Sequence, residues 1–363
     1  MIVKCAHKTG EPGVVFIDRI NRGNPTPSLG PMEATNPCGE QPLLPYEACT
    51  LGSINLRKFV IPINGRIYMD WVGLAKTIEL AVRFLDNSID VCDYPVPETL
   101  HLAQANRKIG LGIMGFADAL VLLGTRYDSK EAVEFAEKLG CFTKKHAHGA
   151  SEELAKQRGC FPNWEESIWN TKYHRPMRNA TCTTIAPTGS ISIMAGCSSG
   201  IEPIFSIVST RQALDGLEFT QLHPLVEELG VKDGWLSDNV YDLLHRGVSP
   251  RIVQKIPKGL SDVLVTAHEI SPEYHVQIQG AFQQHVDNSV SKTANLPSGA
   301  TIKAVDKVYR FAFELGCKGI TVYRDESNQD QVLVSSPGKR EKNGHPQLRC
   351  CAPWGIRCHG KRV

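Results

Sequence analysis

Short apolar runs alternate with amphipathic stretches along the chain, and this alternation predicts strands interleaved with helices. Runs rich in β-branched and apolar residues, bounded by Gly, Pro or polar residues, are typical of buried strands. The centres of five such strands lie near Cys49, Leu111, Thr183, Thr293 and Thr321. The second strand carries Gly110 and Gly112 among apolar residues, which indicates that another backbone approaches it closely. Strands that alternate with helices predict an α/β fold with a parallel sheet.

Helical periodicity of the apolar residues predicts helices in the segments between these strands. From Trp71 to Ile89, apolar residues recur at helical spacing and lie on one face. A second helix is expected near Pro97-Glu98, and a third begins at Asp128, with Glu131 three residues later as a capping box. Further helices are expected over residues 116–123 and about 302–315. Residues 1–6 have no cap and resemble the end of a helix, so we expect the chain to be truncated.

The composition indicates a buried core and excludes several classes of protein. The chain has 363 residues, of which 42% are hydrophobic, which is enough for one large domain or two of ordinary size. No apolar run approaches the roughly 20 residues that span a bilayer, and no signal peptide opens the chain. The net charge of +2 comes from interspersed charges of both signs. We therefore expect a cytoplasmic protein that neither adheres to membranes nor binds nucleic acid directly.

The composition changes near Asn328, which predicts a domain boundary. Residues 335–344 form a polar linker, and the residues after it have no periodicity. We therefore expect a folded part over residues 1–330 and a flexible tail over residues 331–363. The tail contains Cys350, Cys351 and Cys358. Their spacing with His359 matches no standard zinc site, so no metal site is predicted.

Cys38 differs from most of the twelve cysteines, which are scattered along the chain without a Cys-x-x-Cys pair. In a protein without a secretion signal, most of them should be reduced, buried and inert. Cys38 instead lies in the polar segment Asn36-Pro37-Cys38-Gly39-Glu40. Proline and glycine favour a loop there, and alternate side chains of an extended loop point to the same side. Asn36, Cys38 and Glu40 are therefore expected to converge, with a buried structural cysteine as the alternative.

The Glu40 carboxylate limits the chemistry that Cys38 can perform. A neighbouring negative charge raises the pKa of a thiol, so this segment disfavours a thiolate that acts as an anionic nucleophile. A neutral sulfur that abstracts a hydrogen atom as a thiyl radical fits the segment better. Glu40 would then act as the general base on a substrate hydroxyl, and Asn36 would orient that hydroxyl.

A second candidate site follows the predicted strand at Thr183. The segment Pro187-Thr188-Gly189-Ser190-Ile191-Ser192 is a turn that opens a helix, so its N–H groups and hydroxyls are available to an anion. It is not a Walker motif, since no Gly-Lys-Ser or Gly-Lys-Thr follows. Ordinary capping of the helix by Ser or Thr is the alternative explanation of this pattern.

These segments, together with several others, resemble the ribonucleotide reductases, and most of all their adenosylcobalamin-dependent class II. The resembling segments occur in family order between about residues 9 and 333. They are 16–21 (FIDRIN), 36–47 (NPCGEQPLLPYE), 49–56 (CTLGSINL), 109–118 (IGLGIMGFAD), 186–192 (APTGSIS) and 316–325 (GCKGITVYRD). The resemblance implies an α/β barrel of ten strands in two halves, with a finger loop at about residues 30–48. The five predicted strands would be the second half.

The resemblance also implies roles for individual residues. Cys38 would become the thiyl radical that removes the 3′ hydrogen of the substrate, while Asn36 and Glu40 hold and deprotonate the 3′ hydroxyl. Cys49 would be one of two thiols that reduce the 2′ carbon and end as a disulfide. The second candidate turn would bind the substrate phosphates. The substrate-binding residues implied in this way are Asn36, Pro37, Cys38, Gly39, Glu40, Pro187, Thr188, Gly189, Ser190 and Ile191.

A cofactor and partners follow from the resemblance as well. A class I enzyme relays its radical through a tyrosine pair near the last strand, whereas this chain has the single tyrosine of Tyr323-Arg324. A radical generated locally from adenosylcobalamin therefore fits better. A ribonucleoside di- or triphosphate would be the substrate, and a dithiol such as thioredoxin would be the reductant.

Part of the family pattern has no counterpart in this sequence. The first half-barrel and the cysteine that pairs with Cys49 both precede the family position of Met1, and the tail lacks the paired Cys-x-x-Cys of class II tails. We therefore expect another chain to supply the first half-barrel, and little activity from this chain alone. The alternatives are a non-catalytic remnant that only completes another chain, and a fragment of a class I large subunit.

Overall fold

The computed structural model describes residues 1–212, 218–325, 327 and 333–334, which form strands interleaved with helices. The helices are α1 (Ile2–Thr9), α2 (Ile17–Arg22), α3 (Trp71–Val91), α4 (Pro97–Asn106), α5 (Phe116–Leu122), α6 (Lys130–Arg158), α7 (Ile168–Thr171), α8 (Gly189–Met194), α9 (Pro224–Lys232), α10 (Asp238–His245), α11 (Lys258–Val263), α12 (Pro272–Gln283) and α13 (Ile302–Glu314). The strands are β1 (Val14–Val15), β2 (Ala34–Thr35), β3 (Pro42–Leu43), β4 (Thr50–Asn55), β5 (Val60–Ile63), β6 (Arg66–Met69), β7 (Ile109–Met114), β8 (Val208–Gln212), β9 (Glu218–Leu222), β10 (Thr293–Leu296), β11 (Gly319–Arg324) and β12 (Leu333–Val334). Short 3₁₀-helices cover Pro27–Leu29, Leu56–Phe59, Pro162–Trp164 and Pro250–Ile252. Among the described helices, none combines the length and the apolar character needed to cross a membrane.

Five strand positions lie side by side and run parallel. β4 pairs with β7 along its whole length. Parallel bridges then join Leu111 to Thr183 and Ile185 to Val290. The segment after Val290 continues into β10, which pairs in parallel with β11. These are the five predicted positions, so the prediction of an α/β fold with a parallel sheet is confirmed.

The central position departs from the prediction of a regular strand. Residues 180–186 form only isolated bridges, because the Asp287 carboxylate accepts the N–H groups of Cys182 at 2.9 Å and Thr183 at 3.3 Å. Those two N–H groups therefore take no part in a continuous ladder of backbone hydrogen bonds between strands. Leu111 still donates its N–H to the Cys182 carbonyl at 2.8 Å, so the segment keeps its place in the sheet.

The predicted helices are present as α1, α3, α4, α5, α6 and α13, with one difference at the start of α6. This helix begins at Lys130 rather than at Asp128. Its N-cap is Ser129, whose hydroxyl accepts the Ala132 N–H at 3.2 Å. The Asp128 carboxylate instead forms an ion pair with Arg126. The expected start at Asp128, with its capping box, is therefore wrong, because the serine one residue later caps the helix.

A hydrophobic core lies between the sheet and the helices that cover it. On the side of α3, Leu74 and Ile78 contribute to this core, and both are fully buried. Phe116 of α5 and Phe282 of α12 meet edge to face, with ring centroids 5.3 Å apart. A Cβ added to Gly112 would lie 2.5 Å from a backbone carbonyl oxygen of the neighbouring strand position. The predicted close approach of a second backbone to β7 is therefore confirmed.

Two antiparallel hairpins, β5–β6 and β8–β9, were not predicted. The turn between β5 and β6 is Asn64-Gly65, in which both residues have positive φ, 51° and 76°. An Asn-Gly pair between two short apolar runs is the sequence signal of a type I′ hairpin turn. That signal was sufficient to predict the first hairpin.

Only two residues of the predicted tail are among those described. Leu333–Val334 form β12, which pairs antiparallel with β8. The remainder of residues 331–363, including Cys350, Cys351 and Cys358, lies outside the described residues. The division at residue 330 and the flexibility of the tail stay predictions.

Candidate active site

The predicted finger loop is a hairpin that carries Cys38 in its turn. β2 and β3 pair antiparallel on either side of the turn. The Gly39 N–H donates to the Asn36 carbonyl at 3.0 Å, and Gly39 has φ 80°, which glycine adopts without strain. The Asn36 Oδ1 atom accepts the Gln41 N–H at 3.0 Å. The amide oxygen therefore stabilises the turn, and the Nδ2 group is the part of Asn36 that remains for a substrate.

Two sets of contacts hold this loop, one to helix α2 and one to the parallel sheet. At its base, the Asn21 side chain exchanges two hydrogen bonds with the Met32 backbone, at 2.8 and 2.9 Å. Beyond the turn, the Glu40 carbonyl accepts the Thr184 hydroxyl and the Ser289 N–H, both at 2.9 Å. Thr184 and Ser289 belong to the middle of the parallel sheet. The loop therefore contacts the sheet at its centre.

Cys38 is an exposed thiol beside a small cavity. The cavity has a volume of about 200 Å³ and is lined on its other side by residues 290–292 and 319–321. Partial burial raises the pKa of Cys38, and the charge of Glu40 raises it further. The thiol is therefore protonated at neutral pH. This direction agrees with the prediction from the sequence, although burial contributes more than the carboxylate.

Glu40 is buried and acts on two thiols. Only 3% of its surface is exposed, and its Oε2 atom has no hydrogen-bond partner among the residues that the structure describes. Its charge raises the pKa of both Cys38 and Cys49. The three groups therefore share one electrostatic site. A buried carboxylate oxygen without a partner is unfavourable, and a hydroxyl group placed beside it would satisfy it.

Cys49 directly precedes β4 and lies next to a buried ion pair. The Lys108 Nζ atom donates to Glu47 Oε2 at 2.6 Å, and both side chains are fully buried. The Asn106 amide donates to the other Glu47 oxygen at 2.7 Å. Burial raises the pKa of Cys49 well above its ordinary value. Lys108 opposes this shift, while Glu47 and Glu40 add to it.

The predicted anion-binding turn lies between the central strand position and α8. Thr188 has φ 55°, and its Oγ1 atom accepts the Gly200 N–H at 2.7 Å instead of capping α8. Capping by Thr188 therefore does not explain this sequence pattern. Pro187 and Gly189 line a cavity of about 650 Å³. Ser190 and Ile191 are exposed and do not line it, so the structure brings only part of the predicted segment to the cavity.

The two cavities are neighbours. Thr321 of β11 lines both the cavity beside Cys38 and the larger cavity beside the turn. Cys38 lines the smaller cavity and the turn at Pro187 and Gly189 lines the larger one, whereas Glu40 and Cys49 line neither. This arrangement can take a ligand that has a polar, reactive part and an anionic part.

Sequence reasoning missed two charged residues of this region. Glu202 lines the larger cavity, and Lys292 forms an ion pair with it from a fully buried position. The signal was a lysine within the strand-like run that leads into β10. Lysine is almost never buried in a protein unless it is paired. Such a lysine therefore predicts an acidic partner from elsewhere in the chain.

A separate cluster behind the sheet could offer three metal ligands. The donor atoms of His148, Cys182 and Asp287 lie within 4.8 Å of one another. However, His148 Nε2 lies 2.9 Å from both Asp287 oxygens, and Lys144 Nζ lies 3.9 Å from one of them. The same carboxylate accepts the Cys182 N–H. A structural ion pair therefore accounts for this cluster.

Comparisons with known proteins identify the family to which this chain is similar. The family model described as "Ribonucleotide reductase, barrel domain" matches residues 1–176 and 170–323. A vitamin B12-dependent ribonucleoside-diphosphate reductase of Thermoplasma acidophilum is 47% identical over 341 residues, which cover 94% of this chain and 44% of that protein. A protein of the same name from Mycobacterium tuberculosis is 46% identical over 339 residues, which cover 93% of this chain and 48% of that protein.

A solved structure also resembles this fold. The class Id ribonucleotide reductase alpha subunit of Actinobacillus ureae superposes with a TM-score of 0.72, at 24% identity, over 90% of this chain and 60% of that one. The chain spans less than half of the length of the two curated relatives. The family model, in contrast, covers most of the described residues. The predicted fold class is thereby confirmed, and the chain belongs to the ribonucleotide reductase family through its barrel domain.

Proposed function

We propose that this chain carries the catalytic loop of a vitamin B12-dependent ribonucleotide reductase, which reduces ribonucleotides to deoxyribonucleotides in the cytoplasm. The observation that carries the proposal is the placement of Glu40. Its unpartnered carboxylate oxygen is buried, and its charge acts on both Cys38 and Cys49. Glu40 supplies a base, Cys38 the thiol that becomes the radical, and Cys49 one of the two reducing thiols that reduction of a ribose hydroxyl requires.

The roles proposed for these residues are those that the family resemblance implies, and the surroundings of the residues are compatible with them. Cys38, as a protonated thiol, gives up a hydrogen atom and as a thiyl radical removes the 3′ hydrogen of the substrate. Glu40 accepts the proton of the 3′ hydroxyl, and the Asn36 Nδ2 group orients that hydroxyl. Cys49 supplies one of the two reducing equivalents, with a second thiol from outside this chain, and the resulting disulfide is reduced by a dithiol such as thioredoxin.

The substrate proposed is a ribonucleoside di- or triphosphate. Its sugar would lie between Cys38 and Glu40, where Pro37 and Gly39 complete the loop. Its phosphates would lie in the larger cavity beside the turn from Pro187 to Ile191. The shared lining residue Thr321 supports this division, because one extended ligand can reach both cavities.

Adenosylcobalamin is the proposed radical source, and the chemistry of this chain fits it. When bound, the cofactor supplies a carbon-centred radical by homolysis of its cobalt–carbon bond. Cys38 fits this chemistry, because an exposed, protonated thiol has a hydrogen atom to give. The names of the two curated relatives support the same choice.

A chimeric enzyme tests the proposal. This chain would replace the matched segment of the Thermoplasma acidophilum relative, so that the rest of that protein is supplied. With adenosylcobalamin, a dithiol and cytidine diphosphate, we expect deoxycytidine diphosphate as product. Cys38→Ser should abolish product formation, and Glu40→Gln should lower kcat by roughly 100-fold or more, since general-base catalysis contributes about that much.

Cys141→Ser is the matched control, because Cys141 is an exposed cysteine on α6, away from the loop. It should leave turnover unchanged. Circular dichroism would show that each variant keeps the fold. Product formation by the Cys38→Ser chimera at the unsubstituted rate would refute the proposed role of the loop.

A further inference from the structure

The larger cavity has an unexpected charge composition for a site that would hold phosphates. Its lining includes the carboxylates of Glu11 and Glu202, and the described lining residues contain neither lysine nor arginine. Ser192 and Ser199 contribute hydroxyls. Since like charges repel, two carboxylates oppose the entry of an anionic ligand. At least one of them has to be neutralised from outside the cavity.

Lys292 neutralises Glu202 from behind the cavity wall. Its ammonium group is fully buried and forms an ion pair with the Glu202 carboxylate, whose side chain is 25% exposed. The ammonium also donates to the Thr293 carbonyl at 2.7 Å and to His275 Nδ1 at 3.0 Å. An ammonium group has three donors, so all of them are used. Lys292 is therefore held in one position.

His275 carries no charge in this cluster. Its Nε2 atom lies 3.2 Å from the Ala267 carbonyl, which can only accept, so Nε2 bears the proton and Nδ1 accepts from Lys292. Burial and the charge of Lys292 hold the pKa of His275 well below its ordinary value. The positive charge of the cluster therefore belongs to Lys292. Burial lowers the pKa of that lysine too, and Glu202 opposes this shift.

Glu202 also connects the cavity wall to the sheet. Its Oε1 atom accepts the Thr293 N–H at 2.7 Å, and its own N–H donates to the Ser199 carbonyl at 2.9 Å. Two oxygens of one carboxylate thus bind a strand N–H and a buried ammonium. The orientation of Glu202 is fixed, and the turn from Ser199 to Glu202 is fixed with it.

We propose that Lys292 is a positioning residue for the anionic substrate: it neutralises and orients Glu202, so that the cavity accepts phosphates without a lysine or arginine in its lining. The proposal rests on the proposed function only for the identity of the ligand as a nucleotide. Lys292 lines the smaller cavity, but its side chain is fully buried and its ammonium group contacts Glu202, His275 and Thr293, so its charge acts on the larger cavity through Glu202. Removing the lysine leaves an uncompensated carboxylate in the wall, whereas removing the carboxylate does not.

Binding of cytidine diphosphate to the intact chain, measured by isothermal titration calorimetry at pH 7, tests this. Lys292→Met should raise Kd at least about tenfold, because it leaves Glu202 anionic beside the phosphates. Glu202→Gln should bind as tightly as the unsubstituted chain or more tightly. The double variant Glu202→Gln/Lys292→Met, which has no charge at either position, should recover most of the affinity lost by Lys292→Met. Inorganic pyrophosphate should show the same order of affinities.

A purely structural role predicts a different order. In that case each single variant would weaken binding in proportion to its loss of thermal stability. A Glu202→Gln variant that binds cytidine diphosphate tenfold more weakly than the unsubstituted chain would overturn the proposal. If Lys292→Met fails to fold, Glu202→Gln is compared with the double variant instead, because both lack the carboxylate. Equal affinities support the indirect role of Lys292. A tenfold loss of affinity in the double variant refutes that role.

Lys307→Met is the matched control, because Lys307 forms an exposed ion pair with Glu273 at 2.7 Å. It removes one lysine charge without touching the cavity, and Kd should not change. Absence of binding by the unsubstituted chain would refute the anion site itself, and the present inference with it. Binding by that chain together with an unchanged Kd in Lys292→Met would refute only the role of Lys292.

Discussion

Glu40 is a residue whose charge acts on both thiols of the candidate site. Its charge adds to burial in raising the pKa of Cys38. Replacement by glutamine removes that charge and keeps the shape of the side chain. The pKa of Cys38 should therefore fall, because the thiolate is no longer repelled, and burial alone should keep it above the ordinary value.

The prediction is that Glu40→Gln makes Cys38 more reactive towards iodoacetamide. At pH 8, below the pKa, the thiolate fraction rises as the pKa falls, so the rate should increase roughly two- to tenfold. Peptide mapping by mass spectrometry would follow Cys38 separately from the other cysteines. Glu33→Gln is the control, since Glu33 is an exposed carboxylate of the same loop. An unchanged or slower rate in Glu40→Gln would contradict the electrostatic account.

Gly112 shows how little space separates two strand positions. A Cβ at this residue would lie 2.5 Å from the backbone oxygen of Thr184, which cannot rotate away as a side chain could. Gly112→Ala should therefore lower the free energy of unfolding by about 1–3 kcal/mol, the usual cost of overpacking. Gly149→Ala is the control: Gly149 is exposed within α6, nothing lies near the added methyl group, and alanine should stabilise the helix by about 0.5–1 kcal/mol. Urea denaturation would measure both changes.

At the scale of elements, one carboxylate determines the form of the central strand position. Asp287 accepts the N–H groups of Cys182 and Thr183 and pairs with His148. Burial alone would raise the pKa of Asp287. The charge and hydrogen bond of His148, with Lys144 and the Cys182 N–H, outweigh burial and hold this pKa well below its ordinary value. The carboxylate is therefore ionised wherever the protein is folded near neutral pH.

Asp287→Asn should destabilise the protein by about 3 kcal/mol at pH 7, because it leaves a buried partner uncompensated. The sign of the pH dependence follows from the lowered pKa. The contribution of Asp287 is fully present above its unfolded pKa near 3.8 and is lost as the pH falls through the folded pKa. Urea denaturation should give the same difference between the two proteins at pH 7 and pH 5, and a smaller one below about pH 4. A difference that grows on acidification would contradict the assignment.

The sequence predicts the regular elements better than it predicts their contacts. Runs rich in β-branched and apolar residues located all five strand positions, since such residues are enriched in buried strands. They could not predict that the third lacks a regular ladder, because Asp287 is more than one hundred residues away in the chain. The same limit applies to Lys292, whose partner Glu202 comes from a distant turn. The chemistry proposed around Cys38 could be argued from the sequence because Asn36, Cys38 and Glu40 are neighbours in sequence, and it stays a prediction.

At the scale of the whole molecule, the parallel sheet is open at one side. Among the described strands, β4 pairs only with β7, so the other edge of Thr50–Asn55 carries unpaired backbone groups. Leu51 of this strand is 39% exposed. Parallel sheets are usually covered on both faces and paired or protected at their edges. Within the candidate site, Cys38 is exposed as well, so a radical formed on it would be accessible to water.

This openness leads to a prediction for the 363-residue chain assayed by itself. With adenosylcobalamin, a dithiol and cytidine diphosphate, it should form no deoxycytidine diphosphate above the background without protein, because Cys38 is exposed and a thiyl radical there would be quenched by solvent or reductant. Water exclusion is what protects reactive intermediates in an enclosed active site. The Thermoplasma acidophilum relative, assayed in parallel, verifies the reagents. Product formed by this chain and lost in Cys38→Ser would show that the open sheet already encloses the radical sufficiently, and would overturn the prediction.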